Sequence, residues 1–314
     1  LVVVAPATAN IIAKMANGIA DDLISTTLLA TPRPIVIAPA MNNGMWKAAA
    51  TQANMATLRD RGAYVVGPGS GYLACGDVDT GRMSEPEDIV EAVCEVLDPT
   101  PQDLAGKRIV ITAGPTHEPI DPVRFIGNRS SGKMGIALAG EAARRGAAVT
   151  LVLGPTSLDV PRGVGCVRVQ TAAEMLQAAL SAFQTADAAI CAAAVADYTP
   201  AAPADHKLKK ANERLDCIEL VETVDILAEL SRQKDERRVI GFAAETDNVV
   251  EYAQRKLARK GCDAIIANDV SRADSGFGTD TNKAWIVSTA GTQELPVLTK
   301  PQLADTILDL LQNL

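Results

Sequence analysis

The stretch GPTHEPIDPVRFIGNRSSGKMG, residues 114–135, decides the fold. It follows Arg108–Ala113, an apolar run typical of a buried strand, and it leads into an apolar-periodic segment that predicts a helix. We expect Ser130 and Ser131 to cap that helix, while Gly132 lets backbone N–H groups turn toward an anion. A loop this long at the carboxyl end of a strand predicts a ligand pocket.

A phosphate-binding P-loop is the obvious alternative, because residues 127–133 match GxxxxGK. We reject it on two grounds. Position 134 is Met, which has no hydroxyl for magnesium, and residues 114–126 separate the strand from the first glycine. Taken alone, the segment is explained equally well as a ligand site or as a long loop that ends in an ordinary helix cap.

Composition bounds the class of protein. A chain of 314 residues with 47% apolar and only 3% aromatic residues suits two domains of buried parallel strands and small-residue helices. A net charge of −8 makes nucleic acid or an anionic membrane an unexpected partner. No apolar run approaches the roughly 20 residues of a membrane span, so we expect no membrane partner.

The six cysteines show no paired spacing, and two histidines give a zinc site little support. Dispersed cysteines in apolar contexts indicate a reducing cytoplasm, which we take as the expected location.

Residues 1–97 predict only half of a doubly wound sheet, with strands at 1–5, 34–38 and 63–67. We therefore expect that an N-terminal part of this domain precedes residue 1. Residues 98–106 contain two prolines and predict a linker.

Residues 107–314 predict a second, complete domain with alternating strands and helices. This alternation is typical of an α/β fold with a largely parallel sheet. Strands are predicted near 108–113, 148–153, 166–169, 188–193, 238–242, 263–268 and 284–288, and helices near 132–145, 172–183, 224–233, 248–260 and 301–312.

Two motifs in the first domain could carry chemistry. Asn42 follows a predicted strand, where its amide could offer both a donor and an acceptor. Cys75 lies between glycines and near an arginine, so its thiol could move and donate a proton. Taken alone, Asn42 is better interpreted as a turn residue and Cys75 as a surface-loop residue.

The second domain offers Asp197 after a strand of small residues, and Lys207 on a proline- and charge-rich segment, 199–216, that we interpret as a flap. Phe242 at another strand end could pack on a base. Lys256 and Lys260 share one helix face, where like charges repel unless an anion or acid lies between them. Solvated charge runs are the alternative for these lysines.

Together these residues resemble the bifunctional phosphopantothenoylcysteine decarboxylase/phosphopantothenate–cysteine ligase family of bacterial coenzyme A synthesis. The resemblance rests on seven motifs in order: residues 39–46, the loop around Cys75, residues 114–135, Ala-Asp-Tyr at 196–198, Lys-Leu-Lys-Lys at 207–210, residues 241–246 and Ala-Asn-Asp-Val at 267–270. It implies a partial flavodoxin-like, Rossmann-type decarboxylase domain followed by a Rossmann-like doubly wound ligase domain.

For the decarboxylase half, the resemblance implies FMN as cofactor. Asn42 would hold the substrate carboxylate or the enethiolate, and Cys75 would protonate that intermediate. Thr8 and Asn10 would touch FMN or line a subunit interface. The family's catalytic histidine would lie upstream of residue 1, so we expect this half to be incomplete.

For the ligase half, the resemblance implies CTP and Mg²⁺, with no metal ligand assigned. Asn128 would steady the acyl-cytidylate, Arg124 would act in the cysteine step, and Lys207 would contact the nucleotide. The implied cytidine nucleotide pocket comprises Cys191, Ala192, Ala193, Asp197, Val224, Asp225, Ile226, Leu227, Phe242, Lys256 and Lys260.

Two departures from the family pattern are visible: Asp79-Thr80 replaces Gly-Pro in the cysteine loop, and Thr223-Val224 replaces Asn-Pro before Asp225. The expected partners are 4'-phosphopantothenate, cysteine, CTP and 4'-phosphopantothenoylcysteine, in a homo-oligomer of ligase dimers and decarboxylase trimers. Two alternatives remain open, a Rossmann-type NAD(P)-binding oxidoreductase and a non-catalytic regulatory subunit. The first lacks a GxGxxG motif after any predicted strand.

Overall fold

The computed structural model describes residues 1–72, 78–209, 216–272, 274–276 and 278–314. These residues form two compact units, Leu1–Thr100 and Pro101–Leu314. Within the described ranges, the helices are all too short or too polar to cross a membrane.

The first unit is built on a parallel sheet of three strands in the order β1-β2-β3, with a separate antiparallel pair, β4 and β5. Thr8 caps its first helix, and Gly18 ends that helix with φ +68°. The elements are β1 (Val2–Ala7), α1 (Ala9–Asn17), α2 (Leu23–Ala30), β2 (Ile35–Pro39), α3 (Asn43–Lys47), α4 (Ala49–Asp60), β3 (Tyr64–Val65), β4 (Gly69–Tyr72), β5 (Val78–Arg82) and α5 (Pro86–Leu97). Its core packs Ile12, Ile37 and Met55 without solvent contact.

The second unit contains twelve strands and five helices among the residues described. They are β6 (Arg108–Ala113), β7 (His117–Pro119), β8 (Phe125–Gly127), α6 (Lys133–Arg144), β9 (Ala148–Leu153), β10 (Gly165–Arg168), α7 (Ala172–Phe183), β11 (Ala188–Cys191), β12 (Tyr198–Pro200), β13 (Leu220–Glu222), α8 (Ile226–Arg232), β14 (Arg238–Glu245), α9 (Val249–Lys260), β15 (Ala264–Asp269), β16 (Thr281–Ser288), β17 (Gly291–Thr299) and α10 (Lys300–Asn313).

Eight of these strands form one sheet in the order β10-β9-β6-β11-β14-β15-β16-β17. The first six are parallel, and β16 and β17 continue the sheet antiparallel. Within the sheet of the second unit, the chain runs from β6 outward through β9 to β10. It then returns to β11, on the other side of β6, and continues outward in the opposite direction. This reversal makes β6 and β11 the topological switch point, and ligands of doubly wound folds bind outside the carboxyl ends of the strands there.

Helices cover both faces of the sheet. Ile109 and Ile111 of β6 pack toward α6 and α10, while Val110, between them, packs with α7 and α8. Both faces of the strand are therefore buried, which explains its continuous apolar sequence. Burying each such side chain contributes about 1.5–3 kcal/mol, so β6, which leads into the 114–135 stretch, is strongly stabilised.

The start of α6 lies directly against the end of β6. A Cβ on Gly135 would lie 2.3 Å from the Cβ of Ala113, so only glycine allows this approach. The N-cap is Gly132, with φ +81°, and the prediction that Ser130 and Ser131 cap the helix is wrong. Both hydroxyls instead accept hydrogen bonds two residues further on, from Gly132 N at 3.3 Å and Lys133 N at 3.5 Å, and close local turns.

The predicted α/β fold class with a largely parallel sheet is confirmed. Strand β17 and the two small antiparallel pairs of the second unit, β7 with β8 and β12 with β13, were not predicted.

Candidate active site

A cavity of about 930 Å³ lies at the switch point of the second unit. Thr112 from β6 and Cys191 from β11 line it at the carboxyl ends of their strands, and the first turn of α6 borders it. Phe242 also lines it, but from within β14, which continues to Glu245 and does not end at Phe242 as predicted. The following residues predicted from the sequence line it: Asn128, Cys191, Ala192, Ala193, Asp197, Val224, Asp225, Ile226, Leu227, Phe242, Lys256 and Lys260.

Asn128 fastens the 114–135 stretch to the segment after β11. Its Nδ2 donates to the carbonyls of Ala194 at 3.2 Å and Val195 at 2.9 Å. Both amide hydrogens are thereby engaged, so the side chain can offer its Oδ1 as an acceptor to a ligand.

Two threonine hydroxyls also form hydrogen bonds with the backbone of the segment after β11. The Thr116 hydroxyl accepts from the backbone N of Ala196 at 3.0 Å, and the Thr223 hydroxyl donates to the carbonyl of Ala196 at 2.6 Å. Nearer β11, the backbone N of Ala192 donates to the carbonyl of Thr112 at 3.1 Å. The small-residue wall of the cavity is thus a fixed surface against which a ligand can lie.

At one end of the cavity, Asp225 lies close to the two helix lysines. Its Oδ1 accepts from Ala228 N at 2.9 Å at the start of α8, and its Oδ2 pairs with Lys260. Lys256 donates to the carbonyl of Phe242 at 2.8 Å. Asp225 therefore supplies a negative charge close to both lysines of α9.

The pKa values at this end follow from burial and pairing. Burial opposes ionisation of Asp225, but the hydrogen bonds from Lys260 and Ala228 outweigh it and hold the pKa of the carboxyl below its usual value. Burial also lowers the pKa of Lys256 against the attraction of Asp225. An anionic ligand would favour the charged form of Lys256.

At the other end, two lysines meet near the N-terminus of α6. Lys133 donates to Asp280 Oδ1 at 2.6 Å, and Lys300 donates to Asn282 Oδ1 at 2.5 Å. Asn282 in turn donates to Asn268 Oδ1 at 3.0 Å. Lys300 is buried, which lowers its pKa to about 8.

Sequence reasoning did not assign Lys300, Asn282 or Asn268 to the site. Asn268 belongs to the Ala-Asn-Asp-Val motif at 267–270, so a signal was present. Lys300 starts α10 directly after β17, the strand that was not predicted, so nothing in the sequence indicated that it reaches the cavity.

The cavity is cationic in a chain whose net charge is −8. Among the described lining residues, six side chains are cationic and three are carboxylates. The cations are Arg129, Lys133, Lys256, Arg259, Lys260 and Lys300, and the carboxylates are Asp197, Glu222 and Asp225. Positive lining together with the N-terminus of α6 favours an anionic ligand.

Cys191 is a wall residue, not a nucleophile. Burial raises the pKa of its thiol to about 12, so the thiolate is not populated at neutral pH.

Two predicted residues of the second unit are not among the described lining residues of the cavity. Arg124 donates from Nε and Nη2 to Asp121 Oδ2, at 3.0 and 2.5 Å, and Lys207 is exposed. Arg124 lies in the loop before Asn128, and Lys207 lies in the segment after β12. Hydrogen bonds to Leu208 link these two segments.

In the first unit, Asn42 is exposed and caps α3 by accepting from Gly44 N at 2.8 Å. The neighbouring Met41 N donates to the carbonyl of Gly81 at 2.9 Å, which fixes the Asn42 turn beside β5. Cys75 lies outside the described residues. Thr8 and Asn10 are both exposed at the start of α1, just after the carboxyl end of β1.

Over the described ranges, His, Cys, Asp and Glu side chains form no group of three or more that could hold a metal ion.

Two protein families match this chain. Residues 1–98 match the Flavoprotein family, and residues 104–314 match the family described as DNA/pantothenate metabolism flavoprotein C-terminal domain, or DFP. Over 311 residues the chain is 50% identical to the coenzyme A biosynthesis bifunctional protein CoaBC of Bacillus subtilis (strain 168), covering 98% of this chain and 76% of that protein. This chain belongs to the CoaBC family. The CoaBC of Escherichia coli (strain K12) is 49% identical over 312 residues, with 98% and 77% covered.

Solved structures agree with the second unit. A crystal structure of the C-terminal domain of a coenzyme A biosynthesis bifunctional protein CoaBC aligns with a TM-score of 0.57 at 46% identity, covering 66% of this chain and 95% of that chain. A DNA/pantothenate metabolism flavoprotein from Streptococcus pneumoniae aligns with the same TM-score at 23% identity, and covers 66% of this chain and 99% of its own. The second likeness supports the fold alone.

The family assignment confirms the expected role in coenzyme A biosynthesis and the expected class, an enzyme family that combines a ligase with a decarboxylase. It favours this function over the oxidoreductase and the regulatory subunit. The individual residue roles stay predictions.

Proposed function

We propose that the second unit joins 4'-phosphopantothenate to cysteine with CTP and Mg²⁺. The carboxylate of phosphopantothenate attacks the α-phosphorus of CTP, which expels pyrophosphate and forms an acyl-cytidylate. The cysteine amine then attacks the acyl carbon, and CMP and a proton leave. The observation that carries this proposal is the cationic cavity at the switch point, with positive groups at both of its ends.

The cavity's two ends suit the two parts of a nucleotide. Phe242 offers an aromatic face to the base, beside Asp225 and Lys260. Lys133, Lys300 and the start of α6 offer positive charge and N–H donors to the triphosphate. Charge on the leaving pyrophosphate would be stabilised by groups that the fold already holds in place.

Asn128 would act on the acyl part of the intermediate. With Nδ2 committed to Val195, Asn128 would present Oδ1 to a hydroxyl or amide hydrogen of the pantothenate arm. We propose that Lys207 contacts the nucleotide phosphates and that Arg124 serves the amine attack, on the strength of the family resemblance.

Magnesium is proposed to enter with the triphosphate. Mg²⁺ bound this way takes most of its ligands from phosphate oxygens and water, so a dedicated protein cluster is not required. Exposed carboxylates at the rim, such as Asp197, could complete the set.

For the first unit we propose FMN-dependent decarboxylation of 4'-phosphopantothenoylcysteine. Thr8 and Asn10 stand exposed at a helix start after a strand, a position suited to a phosphate or flavin edge. Bound FMN would supply the two-electron chemistry. Asn42 would hold the substrate carboxylate, and Cys75 would deliver a proton. We also propose that the ligase units form dimers, that the decarboxylase units form trimers and that the protein works in a reducing cytoplasm.

Pyrophosphate release tests the ligase reaction. We expect release with CTP and phosphopantothenate, little release without phosphopantothenate, and slower release with ATP. A shift of the melting temperature by NADPH and none by CTP would contradict the proposal.

A further inference from the structure

A buried carboxylate in the 114–135 stretch reaches across to the segment that carries Lys207. The side chain of Asp121 has no solvent exposure. Its Oδ1 accepts from the backbone N of Val123 and of Arg124, both at 2.8 Å, and this closes a tight turn.

The other oxygen of Asp121 faces away from that turn. Oδ2 accepts from Arg124 Nε at 3.0 Å, from Arg124 Nη2 at 2.5 Å and from the backbone N of Leu208 at 3.2 Å. Arg124 Nη2 also donates to the carbonyl of Leu208 at 3.0 Å. Both polar groups of the Leu208 residue are therefore held by one ion pair.

A second tie lies just before Lys207. The backbone N of Ala204 donates to the carbonyl of Ile120 at 2.9 Å. Lys207 is thus bracketed by two attachments to residues 120–124, and Asn128 follows that turn through β8.

These contacts have an electrostatic consequence. The guanidinium of Arg124 and the surrounding N–H donors hold the pKa of Asp121 below its usual value, so the carboxylate is ionised throughout the neutral range. An ionised carboxylate accepts roughly twice as strongly as a neutral group, which suits it to fix a peptide that would otherwise lie in water.

We propose that Asp121 is a positioning residue for Lys207. By holding the Leu208 peptide, its carboxylate fixes the backbone of Lys207 relative to the strand that leads to Asn128, so that Lys207 meets the phosphates and Asn128 the acyl part of one bound intermediate. The inference rests on the proposed CTP-dependent reaction, in which Lys207 contacts phosphate.

Asp121→Asn is the most selective variant, because an amide can keep the hydrogen bonds that Oδ1 accepts and lose those that Oδ2 accepts. Its Oδ1 can still accept from Val123 N and Arg124 N, whereas an NH₂ would replace Oδ2 and face the Leu208 N–H and the guanidinium, donor against donor. The matched control is Glu141→Gln, which removes the carboxylate of another i,i+3 pair, with Arg144, in α6.

The first readout needs no turnover. We expect the Leu208 amide to exchange hydrogen at least tenfold faster in Asp121→Asn than in the wild type, with the Glu141→Gln chain unchanged. Equal exchange in Asp121→Asn and wild type would overturn the proposal.

The second readout is pyrophosphate release at saturating CTP. We expect Asp121→Asn to slow it about tenfold in the wild-type background and less than twofold when Lys207 is already Ala, because the carboxylate acts through that lysine. An equal loss in both backgrounds would show that Asp121 acts independently of Lys207, and would overturn the proposal.

Two outcomes separate the proposals from each other. No pyrophosphate release by the wild type contradicts the proposed function, while the exchange result still decides the contact.

Should Asp121→Asn fail to fold, Leu208→Pro removes the N–H from the flap side and Leu208→Ala keeps it. We expect tenfold slower release in the proline variant alone, and equal rates would reject the assignment.

Discussion

Asn128 donates from Nδ2 to the carbonyl of Val195 at 2.9 Å, and this bond joins the loop after β6 to the segment after β11. The two strands flank the switch point of the sheet, so one side chain closes the wall of the cavity where the strand order reverses.

Asn128→Asp tests this bond. An aspartate would place carboxylate oxygens against the carbonyls of Ala194 and Val195, and the repulsion would move the side chain out of the wall. Losing a positioned donor and leaving carbonyls unpaired costs about 1–3 kcal/mol, so we expect CMP release to fall by roughly fivefold to 150-fold. The control is Asn313→Asp, which removes a similar amide-to-carbonyl bond, to Asp309, far from the cavity lining. Wild-type turnover in Asn128→Asp would contradict the assigned role.

Phe242→Ala tests the nucleotide end of the cavity. If the ring packs on the base, its loss should weaken CMP binding by about 1–3 kcal/mol, the range for base–aromatic stacking. The measurement is the dissociation constant by calorimetry. Tyr252→Ala, on the outer side of α9 where Arg255 lies over the ring, removes an aromatic that is not in the lining and should leave binding unchanged. Equal weakening by both variants would count against the base position.

Much of this site could be predicted because its residues follow strands that have strong sequence signals. Asp197 and Phe242 come after apolar runs whose carboxyl ends meet at one edge of a parallel sheet, so their convergence follows from the topology. The parallel core strands were predicted for the same reason, since burial on both faces gives them continuous apolar sequences.

The residues that were missed depend on long-range pairing. Lys300 reaches the cavity only because β17 pairs with β16 and returns the chain to the start of α10. Most residues of strand β17 are exposed and Leu295 alone is buried, so the strand has no alternating apolar pattern. The contacts of Asp121 with Leu208 likewise join residues far apart in sequence, and no local spacing indicates them.

Lys207→Ala tests the lysine of the flap segment. We expect pyrophosphate release to fall at least tenfold, because a cation on the leaving phosphates is lost, while the melting temperature changes little since the side chain is exposed. Lys107→Ala removes another exposed lysine of the same unit and should retain the wild-type rate. A wild-type rate in Lys207→Ala would remove this lysine from the proposed machinery.

Lys300 gives the stability of the second unit a distinctive pH dependence. Its pKa is about 8 in the folded chain and near 10.5 when the lysine is exposed by unfolding. Between these values the unfolded state binds more protons than the folded state, so this residue makes the free energy of unfolding rise with pH from about 8 to about 10.5. Below pH 8 the buried ammonium is charged in both states, and its contribution is constant.

The measurement is the melting temperature of wild type and Lys300→Met from pH 7 to pH 10, with Lys107→Met as the exposed control. Other groups titrate equally in the wild type and in the variants, so the difference between wild type and Lys300→Met isolates Lys300. We expect that difference to become more positive by several degrees between pH 8 and pH 10, because each kcal/mol shifts the melting temperature by about 2–4 °C in a unit of this size. Parallel curves for wild type and Lys300→Met would show that burial does not depress the lysine's pKa. A bound triphosphate should flatten the wild-type curve, since a phosphate beside Lys300 favours the charged ammonium and restores its pKa.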